Sequence, residues 1–295
     1  MAHQEPALTI VVASYNARDS IGRCLTSLVG QTLAEPFEVV VVDSSTDGTG
    51  ELVTRDFPQA RLVRSAQRLF AGDARNRGIA ASSAPVIAFM DADCTVDPGW
   101  AANLLAVHRA GHRVVASAID NGARDSLLSW TYYLCEFSHW LPGGPARPIS
   151  EAAGCCLSLD RSVFERHGPF LTGTYSSDTA FHWKLQAVGQ SAHFVPDIRV
   201  HHHASGSLVA MLRHVCDHRR CFARVKCRAK HLTPAERLLA LLLEPATPGL
   251  LMAAVLLRLR RHPVYLPVFA AVSPALFLAF VARAVGETVG YLRGA

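Results

Sequence analysis

Three short, mainly apolar and β-branched runs, Leu8–Ala13 (LTIVVA), Phe37–Val42 (FEVVVV) and Val86–Met90 (VIAFM), each give way to polar residues. Runs of that length without alternation are the pattern of strands buried on both faces. Ser20–Val29 lies between the first two, carries apolar residues at helical spacing, and has Asp19 or Ser20 available as a cap. Thr49–Asp56 and Gly72–Ala81 have helical character, and Arg61–Val63 that of a short strand. Strands alternating with short helices predict a mostly parallel sheet with right-handed crossovers. Such sheets bind ligands at the carboxyl ends of their strands.

Beyond Asp97-Pro98-Gly99-Trp100 the pattern predicts a helix to about Arg109 and a strand over Arg113–Ala118. The aromatic stretch 120–150, broken by Pro142-Gly143-Gly144-Pro145, is expected to be an adaptable loop. Expected next are a strand at Ala152–Leu159, helices at Arg161–Arg166 and Asp178–Val188, and two extended pieces, His193–Val195 and Arg199–His202. From Leu238 the character changes. Leu238–Leu257 is apolar but interrupted by Glu244, Pro245 and Pro248, whereas Val264–Ala282 runs nineteen residues without a charge. A spanning helix needs about 20 apolar residues, so the second segment qualifies and the first is marginal. The expected division is an α/β domain over 1–232 and a membrane-associated helical tail over 233–295, with a buried hydrophobic hairpin as the other reading of the tail.

Composition narrows the classes. Half of the 295 residues are hydrophobic and 18% are charged, which excludes disorder, and 16 prolines with 20 glycines exclude a coiled coil. The net charge is +5, yet Arg213–Lys230 alone holds seven basic residues against Asp217. A strip that local argues against a general nucleic-acid binder and for contact with anionic lipid. Met1–Pro6 has neither a charged n-region nor an apolar core, so no cleaved leader is expected and the N-terminal domain should be cytoplasmic. The eight cysteines follow no CxxC spacing, and unpaired, mostly buried thiols are expected. Cys216, Cys221 and Cys227 lie among His214, His218 and His231 at gaps matching no common zinc pattern.

The strand ends carry the candidate chemistry: Ser14-Tyr15-Asn16, Asp43 with its following Ser/Thr/Asp turn, and Asp91-Ala92-Asp93. An Asp-x-Asp pair just past a strand offers hard oxygens suited to Mg2+ or Mn2+ with phosphate. In order along the chain stand VVASYNA (11–17), VVVVDSSTDGT (39–49), AGDARNRGI (71–79), FMDADCTVDPGW (89–100), GCCLSLDRSVFERHGPF (154–170) and SSDTAFHWKLQAVG (176–189). Over about Leu8–Ser205 the chain thereby resembles the family 2 glycosyltransferases.

The resemblance implies a GT-A-like, Rossmann-like fold and inverting, metal-dependent transfer from a nucleotide-sugar donor. Ser14, Tyr15 and Asn16 would line the nucleotide pocket, Asp43 would bind the base, and Arg75 would contact the nucleotide. Asp91 would lie against the ribose or metal, and Asp93 and His201 would ligate Mn2+ or Mg2+. Asp178 would be the general base. Ser177 stands where the family usually has Glu, and Ala180 where it often has a second acid. His218-Arg219-Arg220-Cys221-Phe222 replaces the motif of polymerising relatives, which favours addition of one sugar. With the tail and basic strip, the expected acceptor is lipid-linked or a glycan in envelope polysaccharide or glycolipid synthesis, at the cell membrane with the catalytic domain cytoplasmic. Two alternatives stand beside this: an inactive sugar-nucleotide or glycan-binding scaffold of the same fold, favoured by Ser177 and Ala180, and a nucleotidyltransferase. The latter would normally carry a glycine-rich phosphate loop, and Leu8–Asn16 contains no glycine.

Overall fold

The computed structural model describes residues 5–294; residues 1–4, part of the Met1–Pro6 segment above, and Ala295 lie outside the described residues. The chain packs as two compact units, Met1–Asp120 with Trp140–His202, and Asn121–His139 with His203–Ala295.

In the first unit the alternation forms as expected: β1 (Leu8–Ser14), α1 (Ile21–Val29), β2 (Phe37–Asp43), α2 (Thr49–Asp56), β3 (Arg61–Arg64), α3 (Ala71–Ala80) and β4 (Val86–Asp91). Ile10, Val11, Val12, Val40, Val41, Val42, Ile87 and Phe89 are fully buried. Each such side chain contributes about 1.5–3 kcal/mol by leaving water, which fixes these strands in the sheet centre. The pairing is parallel, with Ser14 opposite Asp43 and Ala13 opposite Asp91. Three strands therefore stop level with one another, and their polar ends fall in one row.

Beyond β4 the sheet continues with antiparallel pairings. β5 (Cys94–Val96), α4 (Trp100–Arg109) and β6 (Val114–Asn121) are followed in the second unit by α5 (Leu127–Glu136), and then by β7 (Arg147–Ile149), β8 (Leu157–Asp160), α6 (Arg161–His167), α7 (Ser177–Ala187) and β9 (Ala192–His202). The strand order is β3-β2-β1-β4-β8-β6-β9-β5, with β7 on β9. The sheet is thus mixed, parallel in its first half. Two details depart from the sequence reading. The extended pieces near 193 and 200 are one continuous strand through Pro196, because Ala192, Phe194, Pro196, Ile198, Val200 and His202 alternate inward. Within 120–150, α5 forms where a loop was expected: Ser126 caps it by accepting from the Ser129 N–H, and Trp130, Tyr133 and Leu134 are buried.

The second unit is helical: α5, α8 (Leu208–Ala229), α9 (Pro234–Leu243), α10 (Thr247–Leu259) and α11 (Leu266–Arg293). α8, placed on sequence with the N-terminal domain, packs along α11. Gly286 and Gly290, one turn apart, allow this, since a Cβ at either would overlap the backbone of Cys216 or of Arg220. Arg219 turns inward and donates twice to Glu287 Oε1, at 2.7 and 2.5 Å, while Arg283 reaches the same oxygen at 3.2 Å. Arg219 therefore leaves the basic strip, whereas Arg213, Arg228 and Lys230 stay exposed. Two stretches, Pro234–Leu259 and Pro263–Arg293, are long and apolar enough to cross a membrane and are mostly unburied. The first is broken by a 3-10 turn at Glu244–Ala246, where the sequence places its glutamate and proline.

Candidate active site

The row of strand ends opens on a polar floor. Asp43, 1% exposed, accepts from Ser14 Oγ at 2.9 Å and from Ser45 Oγ at 2.5 Å, both on Oδ1. Its Oδ2 has no protein partner among the described residues. An orphaned buried carboxylate oxygen costs about 1–3 kcal/mol or more, and such an atom is suited to accepting an N–H from a bound group. Asn16, held at φ 48°, accepts from the Thr46 N–H at 3.0 Å and donates its own N–H to Ser45 Oγ at 2.7 Å. Tyr15 is 41% exposed, with the Arg68 guanidinium 4.5 Å over its ring, and Arg68 Nη2 lies 3.3 Å from the Tyr175 hydroxyl. Arg68 and Tyr175 therefore join the rim formed by Tyr15; no sequence pattern singled them out.

Arg75 is buried and donates from Nη2 to Asp91 Oδ1 at 3.1 Å. Any Cβ at position 154 would overlap its guanidinium, so Gly154 is required for Arg75 to lie where it does. The arrangement presents Arg75 to Asp91. Burial pushes the Asp91 carboxyl up, and the Arg75 charge opposes that rise.

Asp93 follows the strand end. Its Oδ2 lies 3.3 Å from His202 Nε2, and the Cys94 thiol donates to its Oδ1 at 3.6 Å. Burial would raise the Asp93 carboxyl, but the charge and hydrogen bond of His202 and the bond from Cys94 hold it below the ordinary carboxylate range. His201, the expected ligand, lies elsewhere: its Nε2 is 3.1 Å from Asp97 Oδ1, and its Nδ1 is 4.0 Å from Asp120 Oδ2. The reason is strand phase. β5 pairs β9 with Cys94 opposite His202 and Thr95 opposite His201, and opposite residues in a pair point to the same face. His202 thus shares a face with Cys94 and the Asp93 carboxylate, and His201 takes the other. Asp93, Cys94 and His202 offer ligand atoms all within 4.8 Å of one another. The carboxylate and imidazole in that set suit a divalent cation.

Asp178 lies in the first turn of α7, where its Oδ1 accepts from the Thr179 N–H at 2.9 Å; its Oδ2 accepts from the Gly154 N–H at 2.8 Å. Its charge also acts on Asp91. Glu151 is adjacent and accepts from the Thr179 hydroxyl. Ser177 is 2% exposed and lies against Gly72, where an added Cβ would overlap the Ser177 side chain and the Leu171 carbonyl.

Residues 9–168, more than half of the chain, match the family described as Glycosyl transferase family 2. The chain belongs to this family. Among curated relatives, the succinoglycan biosynthesis protein ExoO of Rhizobium meliloti (strain 1021) is 37% identical over 117 residues, 39% of this chain and 33% of ExoO. The glycosyltransferase AglE of Haloferax volcanii is 34% identical over 101 residues, 32% of this chain and 33% of AglE. The chain thus spans about a third of the length of these relatives. Among solved structures, the mannosyltransferase PcManGT from Pyrobaculum calidifontis in complex with GDP-Man and Mn2+ matches with a TM-score of 0.63 at 21% identity, over 96% of this chain and 87% of that one. S. aureus TarS in complex with UDP-GlcNAc matches at 0.54 and 15% identity, over 95% and 90%. These likenesses establish the GT-A fold of this family 2 chain.

Proposed function

We propose that the chain is an inverting glycosyltransferase that moves one sugar from a nucleoside diphosphate donor to an acceptor hydroxyl with the help of Mn2+ or Mg2+. The observation that carries this reading is the level row of strand ends that brings Ser14, Asp43 and Asp91 together, with Asp93 just past it and His202 closing on Asp93. Asp43 Oδ2 accepts from the base, and Ser14, Tyr15 and Asn16 form the nucleotide pocket. Arg75 acts by holding Asp91 towards the ribose or the metal. Asp93 and His202, in place of His201, would hold the ion. When bound, the ion offsets the negative charge that develops on the diphosphate leaving group. Asp178 is kept in one orientation by two backbone N–H groups and takes the proton of the acceptor hydroxyl. PcManGT, crystallised with GDP-Man and Mn2+, supports a nucleotide-sugar donor and a divalent ion.

The acceptor in this reading is lipid-linked or a glycan in envelope polysaccharide or glycolipid assembly, a context that the name of ExoO supports. Residues 1–232 form the transferase part, on the cytoplasmic side, and 233–295 the membrane-associated part. Leu239, Leu242 and Leu250 are 58%, 70% and 64% exposed, which suits lipid rather than water. Arg237 precedes the apolar run Leu238–Leu257, and Arg258, Arg260 and Arg261 follow it, so a full crossing would leave one cluster outside. α9–α10 therefore lies in the interface or re-enters, bent at the Glu244–Ala246 turn, and α11 crosses once or pairs with it as a shallow hairpin. The test is incubation of the full chain with a panel of nucleotide sugars, a glycan or lipid acceptor and Mn2+. Release of nucleoside diphosphate supports transfer. Pyrophosphate release, or no release with any donor, contradicts it.

A further inference from the structure

Between β3 and α3 the chain is fastened to the end of β2, by the Ser65 N–H to the Asp43 carbonyl at 2.8 Å and by the Leu69 N–H to Ser44 Oγ at 3.1 Å. Arg68 stands between those two fastenings, exposed, with its guanidinium 4.5 Å over the Tyr15 ring and 5.4 Å over that of Phe70. Beyond it runs the loop 171–176, in which Leu171, Thr172 and Gly173 are exposed. Asn76 anchors the start of this loop by exchanging two hydrogen bonds with the Phe170 backbone, at 2.9 and 3.0 Å, and Asp73 Oδ2 accepts from the Gly173 N–H at 2.9 Å. Near its far end, Tyr175 meets Phe70 edge-on at 5.0 Å and accepts from Arg68 Nη2 at 3.3 Å. Ser176, at φ 61°, then turns the chain into α7, two residues before Asp178. Arg68 thus touches both the rim beside Asp43 and the loop that leads to Asp178.

A guanidinium and a nucleobase cannot occupy one face of the same ring, and base–aromatic stacking outweighs an exposed cation–π contact. We propose, resting on the donor pocket described under the proposed function, that Arg68 is a positioning residue that relays donor binding to the acceptor side. The donor base takes the Tyr15 face, the displaced guanidinium closes on Tyr175 and Phe70, and the loop 171–176 is fixed by that closure. Asp178 itself is already oriented by the Gly154 and Thr179 N–H groups. What the donor sets is the loop over which the acceptor hydroxyl reaches that carboxylate. The donor therefore binds first, and the acceptor site is completed only behind it.

The experiment uses the full chain in detergent and needs no acceptor. Affinities for UDP, GDP, dTDP and ADP, each with Mn2+, are measured by calorimetry, and the tightest of them is used in hydrogen–deuterium exchange of the peptides covering 170–178. In the wild type the nucleotide should slow exchange there. Tyr175→Phe keeps the ring against Phe70 and removes only the hydroxyl, while Arg68→Ala changes an exposed side chain, so both are expected to fold. Both should bind the nucleotide within about fivefold of the wild type, the fold-change worth of an exposed cation–π contact, and both should lose the slowing at 170–178. Slowing that survives either substitution, or a wild type that binds nucleotide without any slowing, would overturn this inference and leave the proposed function standing. A larger loss of affinity in Arg68→Ala would make Arg68 a donor ligand and overturn the relay. Failure of the wild type to bind any of the four nucleotides would overturn the donor pocket itself.

Discussion

Asp178→Asn removes a charge while nearly preserving shape, and the structure allows its two consequences to be separated. Both carboxylate oxygens of Asp178 accept backbone N–H groups, from Gly154 and from Thr179. An asparagine has one acceptor oxygen, so one of those N–H groups would face an amide NH2. Leaving a buried donor unsatisfied costs about 1–3 kcal/mol, which predicts a modest fall in thermal stability. Donor binding depends on Asp43, Asp91 and Asp93 and should be retained. The acceptor proton, however, would lose its base, and such assistance supplies roughly 100- to 10,000-fold. The assay is a single-turnover transfer rate at saturating donor, measured beside nucleotide affinity and melting temperature. A rate loss of about 100-fold or more with intact donor affinity supports the role. A rate that falls no further than the stability loss explains would refute it and leave Asp178 as a strut between α7 and Gly154. Glu151, joined to Thr179, would then be the first carboxylate to test, with Glu165 after it.

Three further expectations follow from other parts of the structure. His202→Ala should weaken Mn2+ binding by more than about 10–100-fold, whereas His201→Ala, which removes a bond to the exposed Asp97, should leave it unchanged; calorimetric titration of both variants distinguishes them. Burial holds the neutral form of His182 and lowers its pKa from 6.5 to about 4, against the opposing charge of Asp178. The unfolded chain therefore takes up a proton first as pH falls, and about 3 kcal/mol present above pH 6.5 is lost on approaching pH 4; chemical denaturation across that range should show the loss, and His182→Phe should flatten it. Replacing exposed Leu239, Leu242 and Leu250 together by Glu should move the full chain from the membrane to the soluble fraction without lowering its melting temperature. Unchanged membrane recovery would contradict the interfacial placement.

The sequence was most legible where a residue's environment is set by its neighbours in the chain. Apolar runs such as Val39–Val42 are buried on both faces, so their polar ends at Ser14, Asp43 and Asp91 could be read directly as positions at a sheet edge. The site became illegible where side-chain direction depends on pairing between distant strands. Nothing in His201-His202-His203 shows which imidazole meets Asp93; that follows from the register that puts Cys94 opposite His202. α5 was missed for a related reason. Its aromatic residues lack a clear polar face and are flanked by turn-forming residues, and they become helical when buried in the second unit against α11.

The central claim is that the strand-end carboxylates hold a divalent ion for nucleotide-sugar chemistry, and Asp93 carries it most directly. The measurement is nucleoside diphosphate release by the wild type and by Asp93→Ala, each with Mn2+ and with excess EDTA. The account predicts release by the wild type with Mn2+, and no turnover in the other three conditions. Undiminished release by Asp93→Ala, or by the wild type in EDTA, would contradict it.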